Sequence, residues 1–134
     1  MNHIRSTIDN SKKWKFDRRI FVDNKLEGRI NNGTLSWIKI NDNIFDCIEE
    51  GVLELNGGHK GVFYTKLKFI FDGNDFKVFK SNNTMFYQST KNNVYSSKTN
   101  DILIELKFIK KIITFRYDLH TKNSLKTEIT NYYY

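Results

Sequence analysis

The chain has no proline, no alanine and a single cysteine. With Cys47 alone, neither an internal disulfide nor a cysteine-based zinc site can form. No apolar run approaches the roughly 18 residues that a helical membrane span needs. The start, MNHIRSTIDNSKKW, lacks the apolar segment of a secretory signal, so a cytoplasmic protein is expected. His3, His59 and His120 show no metal-ligand spacing. Phosphate-binding loops, nucleophile elbows and kinase-like motifs are missing too, so catalysis stays an open question and no cofactor can be named. Helical periodicity never exceeds a turn or two. Residues 1–11 read as a tail or short helical turn, with 6–12 the best helical stretch.

What the chain does have is charge and aromatic bulk. It carries a net charge of +7 over 134 residues, with 17 Lys against 5 Arg, and 16 Asn. A basic surface for nucleic acid or an acidic protein is one account of this. A compositional bias toward A+T-rich codons, which favour Lys, Asn, Ile, Phe and Tyr, is the blander account and the preferred one. Asn-Gly-Thr at 32–34 and Asn-Asn-Thr at 82–84 fit the glycosylation pattern, as any Asn-rich chain will by chance. The 11 Phe, 7 Tyr and 2 Trp supply enough volume for one core, and 1–134 reads as one domain.

Period-two runs separated by Asn, Asp and Gly predict strands at about 12–23, 27–40, 44–55, 62–71, 75–80 and 84–90, then 101–109, 112–119 and 124–133. The polar stretch 91–100 reads as a loop or weak strand. Eight to ten sequential antiparallel strands with short turns predict an all-β, up-and-down barrel, which can hold one small ligand. A two-sheet sandwich with a solid core is the alternative. On the second strand the apolar parity slips across Asn31, Asn32 and Gly33. A β-bulge there, with Gly33 as the permissive residue, restores one face.

Parity then sorts the faces. Trp14, Phe16, Ile20, Phe69, Phe115 and Tyr117 are expected inside. Arg18 falls on the same face as Phe16 and Ile20, and Glu49 falls inward with Phe45 and Cys47. A lone charge there is costly, so Arg18 and Glu49 are expected to pair, fixing strand register. Arg18 also suits a ligand carboxylate or phosphate, which its planar fork fits bidentately. Cys47 beside Glu49 reads as a small hydrophobe. Phe21, Phe79 and the terminal tyrosines are candidates for an exposed contact patch.

Several of these residues recur together. Trp-x-Phe-x-Arg-x-Ile at 14–20, Gly28, EEGVLEL at 49–55, Gly57-Gly58, LKFIFDGNDFKVF at 67–79 and Met-Phe-Tyr at 85–87 resemble an uncharacterised bacterial family of about this length, a domain of unknown function expected to be calycin-like (lipocalin-related). The resemblance covers about residues 12–130. It implies that Arg18, Glu49 and Tyr87 belong to a shared site. Where that family carries an arginine on the fourth strand this chain has Thr65, and its Gly-Pro turn near the end is replaced by His-Thr-Lys-Asn at 120–123. The lipocalin Gly-x-Trp is also replaced, by Lys12-Lys13-Trp14.

The expected function is therefore a binding protein that holds a mainly apolar, anionic ligand in the barrel, with Arg18, Glu49, Thr65, Phe69, Tyr87 and Tyr117 on its wall. The alternatives are a calycin-like lyase or isomerase of a bulky cofactor such as a bilin, and a basic interaction module for nucleic acid or an acidic protein.

Overall fold

A computed structural model describes residues 3–73, 75–89, 95–96 and 102–134. One helix, α1 (His3–Asn10), precedes ten strands: β1 (Lys13–Val22), β2 (Lys25–Asn41), β3 (Ile44–Leu55), β4 (Lys60–Asp72), β5 (Asp75–Lys80), β6 (Met85–Ser89), β7 (Tyr95–Ser96), β8 (Ile102–Ile109), β9 (Ile112–His120) and β10 (Leu125–Tyr133). They form a single antiparallel sheet in the order β7-β6-β5-β4-β3-β2-β1-β10-β9-β8. The sheet curls into a half-barrel, and its edges β7 and β8 approach within 8 Å, Cα to Cα. Every two consecutive strands except β7 and β8 are neighbours in the sheet, as short turns dictate. The closure of β1 on β10, from Lys15 opposite Tyr133 to Val22 opposite Lys126, brings the two ends of the chain together.

The turns follow from their residues. Asp23 and Asn24 have φ of 49° and 68°, both left-handed, which is the twist-matched two-residue connection of a hairpin. Lys110 at φ 54° and Gly73 at φ 61° serve the β8–β9 and β4–β5 turns. The stretch 91–100 lies outside the described residues except Tyr95–Ser96, whose backbone pairs with β6.

The predicted bulge is present, since the β1–β2 register shifts between Phe16 and Arg18 and the β2–β3 register between Ile30 and Thr34. The residue that makes it differs. Asn32 takes the left-handed backbone, at φ 55°, and its N–H donates to Asp17 Oδ1 at 2.9 Å. Gly33 is there for space: a Cβ would stand 2.4 Å from Cζ of the Phe16 ring and 2.5 and 2.8 Å from its Cε1 and Cε2.

The helix begins earlier than 6–12. Ile4 and Ile8, one turn apart, bury one face against the core, at 4% and 0% exposure. The Arg5 guanidinium lies over the Phe45 and Phe71 rings, 5.6 and 5.3 Å from their centres, and donates to the Asp42 carbonyl. α1 thus covers the end of the half-barrel marked by the β2–β3 turn. No helix among the described residues is long and apolar enough to cross a membrane.

The interior is a train of edge-on, stacked and tilted rings: Trp14 on Trp37 at 5.2 Å, Trp37 on Phe69 at 4.8 Å, Phe69 stacked on Phe76 at 5.9 Å, Phe76 on Tyr87 at 6.3 Å and Tyr87 on Phe115 at 5.7 Å. Of the six residues expected inside, Trp14, Phe16, Phe69 and Phe115 are buried, while Ile20 and Tyr117 are half-buried nearer the open end. The outer face is less solvated than parity implies. Asp46 is buried there beside Lys66, 3.5 Å away, and Asp118 is buried accepting from Thr127 Oγ1 at 2.7 Å and Arg116 Nε at 3.0 Å. Phe21 and Phe79 are half-buried rather than exposed.

Candidate functional site

Arg18 does turn inward from β1, and Glu49 of β3 meets it. Arg18 Nη2 donates to Glu49 Oε2 at 2.7 Å, with both side chains almost sealed from solvent. Nη2 also donates to Tyr132 Oη at 3.2 Å, and Nε donates to Thr130 Oγ1 at 2.7 Å. Tyr132 Oη donates in turn to Glu49 Oε2 at 2.7 Å, and Thr65 Oγ1 donates to Glu49 Oε1 at 3.1 Å. The carboxylate therefore has three donors from three strands. The guanidinium carbon lies over two rings, 5.0 Å from the centre of Phe16 and 5.3 Å from that of Phe63. The contacts of Arg18 use Nε and Nη2, and no described residue accepts from Nη1.

The electrostatics follow from this packing. Burial works against the Arg18 cation, but Tyr132, Glu49 and Glu128 more than offset it, and its pKa is raised. Burial, and next the Glu49 carboxylate, push the Tyr132 phenol well above its ordinary value. The same two causes push the Cys47 thiol well up, which makes it a poor nucleophile. Nothing here resembles an activated catalytic group. Among the described residues no cluster of His, Cys, Asp or Glu could hold a metal ion.

The cluster stands on the wall of an interior cavity of about 560 Å³. That volume lies within the range of small-molecule sites, about 300–1,000 Å³. Trp14, Trp37, Phe69, Phe86 and Phe115 stand on its apolar wall, and Lys80 and Ser81 on its lining at the β5–β6 turn. Trp37 Nε1 is buried with no oxygen or nitrogen acceptor, and its ring stands edge-on to both Trp14 and Phe69.

Of the residues expected at the site, Arg18, Glu49, Thr65, Phe69 and Tyr87 all line this cavity. Tyr117 does not. It packs outside the lining, 5.7 Å from the Phe86 ring, where burial and Glu128 raise its pKa. Its Cα partner in β10 is Glu128, which takes the wall position instead. Sequence reasoning missed Thr130, Tyr132 and Glu128. All three share one parity on β10, and that parity is polar, with Ile129 and Leu125 on the opposite face. The apolar-inward rule, applied to β10, would turn it the wrong way round. The signal that could have found them is Arg18 itself, since a buried guanidinium needs more acceptors than Glu49 alone can offer.

No protein family, curated protein or solved structure matches this chain.

Proposed function

We propose that this protein is a small-molecule binding protein, and that it holds a mainly apolar ligand in the half-barrel with an anionic oxygen head against Arg18. The observation that carries this is Nη1 of Arg18: a cation 6% exposed, fixed by three neighbours, with one nitrogen left unengaged beside an aromatic cavity. Nη1 is not sealed from solvent, and a ligand oxygen in the cavity would supply the acceptor that no described residue provides. Burying about 200 Å² of apolar ligand surface at about 25 cal/mol per Å² would contribute about 5 kcal/mol before ordering costs. In this reading the sheet is a calycin-like up-and-down barrel, whose sequential antiparallel strands the half-barrel shares.

Glu49 already balances one unit of charge, and Glu128 adds a second carboxylate to the wall. The test therefore pairs a medium-chain fatty acid with its methyl ester, titrated by calorimetry against wild type and Arg18→Met. The expected result is micromolar binding of the acid, weaker binding of the ester, and a larger loss for the acid in the variant. Equal binding of acid and ester, unchanged in Arg18→Met, would remove the anionic head. Absence of binding by both would remove the cavity as the site.

A further inference from the structure

The ladder between β4 and β5 begins only at Leu67, opposite Lys80, whereas β4 pairs with β3 from Lys60 onward. Among the described residues, 60–66 thus form a free sheet edge. The register fixes where their backbone groups point. Leu55 N–H donates to His59 O at 2.7 Å, and Phe71 N–H donates to Asn43 O at 2.8 Å. Both bonds belong to the alignment in which Val52 faces Val62, so the odd-numbered residues of β4 bond to β3. The N–H and C=O groups of Val62, Tyr64 and Lys66 therefore turn toward the open edge. The same residues direct their side chains outward, with Val62 91% exposed and Tyr64 57%. Tyr64, Thr65 and Lys66 also border the cavity.

We propose that this edge accepts an extended, acidic peptide as an added antiparallel strand. Unpaired N–H and C=O groups in a row are the template for such addition, and side chains at alternate positions give it selectivity. Charge decides the occupant. A second copy pairing over the same residues would set Lys60 of each copy opposite Lys66 of the other, a like-charge contact at both ends. An added strand with carboxylates at those two places meets lysines instead. Lys66 reaches Asp46 at 3.5 Å but keeps 48% of its side chain exposed, so it can share a second carboxylate. Between the two ends, outward apolar residues meet Val62 and Tyr64, and inward ones lie over Phe63 and Thr65 at the cavity mouth. The proposal goes beyond the cavity reading and does not need the cavity to be filled.

The probes are a short Val/Thr peptide with Glu at both ends, the same peptide with Lys at both ends, and the Glu peptide N-methylated at alternate residues. Amide hydrogen exchange on the full chain, followed by NMR, reads the site, and calorimetry reads affinity. Exchange at Val62, Tyr64 and Lys66 should slow with the Glu peptide, and the Lys peptide should bind at least about tenfold more weakly, a difference of about 1.4 kcal/mol. Tyr64→Pro removes one edge-facing N–H without touching the β3 ladder, so it should keep native circular dichroism and lose the peptide. Unchanged exchange at those three amides at saturation, equal affinity for both peptides, or protection of the same amides by self-association alone would each overturn the proposal. None of those outcomes bears on fatty-acid binding in the cavity, which is measured separately.

Discussion

Removing the Glu49 carboxylate should destabilise the fold more than removing the whole polar cluster. Glu49→Ala leaves Arg18 charged, 6% exposed and without its counter-ion, with Thr130 and Tyr132 as its remaining acceptors among the described residues. Breaking one half of a buried ion pair costs about 3–5 kcal/mol, because the surviving charge keeps its desolvation penalty. For 134 residues, about 2.1 cal/mol/K of unfolding entropy each makes 1 kcal/mol worth about 3.5 °C in Tm. The expected fall is therefore about 10–18 °C. In the triple variant Arg18→Met, Glu49→Leu, Tyr132→Phe, neither charge of the buried pair remains to be solvated. Only the Thr65 and Thr130 hydroxyls lose contacts. That should cost about 1–2 kcal/mol, in line with buried hydroxyls that lose a hydrogen bond. Urea titrations at constant m, with calorimetric Tm as a second measure, give both numbers. A Glu49→Ala shift under about 3 °C, or a triple variant less stable than the single, would show that burial of the pair is not what the fold has to offset.

Other expectations follow from single positions. Gly33→Ala puts a methyl 2.4 Å from a ring with 0% exposure, so it should cost about 1–3 kcal/mol, and Phe16→Leu in the same chain should recover part of that. Cys47, with its thiol raised by burial and Glu49, should alkylate with iodoacetamide far more slowly folded than in urea, and its rate should keep rising with pH past the ordinary thiol range. Fast labelling at neutral pH would contradict the burial. Tyr132 has a folded pKa above its unfolded value near 10, so its contribution to stability is complete below pH 10 and is lost as pH rises beyond it. Cys47 acts in the same direction from its own ordinary range, so the alkaline loss should shrink, not vanish, in Tyr132→Phe.

Alternation made the strands legible. Ile44–Leu55 and Asp75–Lys80 fall where the pattern puts them, and the other ends move by a residue or two, as frayed ladders do. Arg18 and Glu49 were legible as a pair because each broke an apolar row. What escaped was whatever depends on a neighbour far along the chain. β10 looks amphipathic with Ile129 inward, yet Arg18 on the adjoining strand needs Thr130 and Tyr132, and that demand outweighs one isoleucine. Gly33 looked like backbone freedom and proved to be room for Phe16. α1 was nearly invisible because two isoleucines one turn apart are too few to fix a period.

The interior polar cluster and the curl of the sheet have a common origin in that glycine. β2 lies between β1 and β3, so Arg18 must reach across a strand to touch Glu49. It can do so only where the intervening strand is thin. At Gly33 the Phe16 ring lies directly on the β2 backbone, and Gly51 on β3 stands so close that its own Cβ would come 3.4 Å from Gly33 Cα. The bulge at Asn32 bends β2 at this same point, which brings β1 and β3 toward each other on the concave side. Arg18 then packs on the Phe16 and Phe63 rings, while Glu49, Thr130 and Tyr132 fix the direction of its Nε and Nη2. Those contacts engage Nε and Nη2. In the binding reading proposed above, a ligand oxygen at Nη1 would therefore leave undisturbed the contacts by which Arg18 ties these strands together.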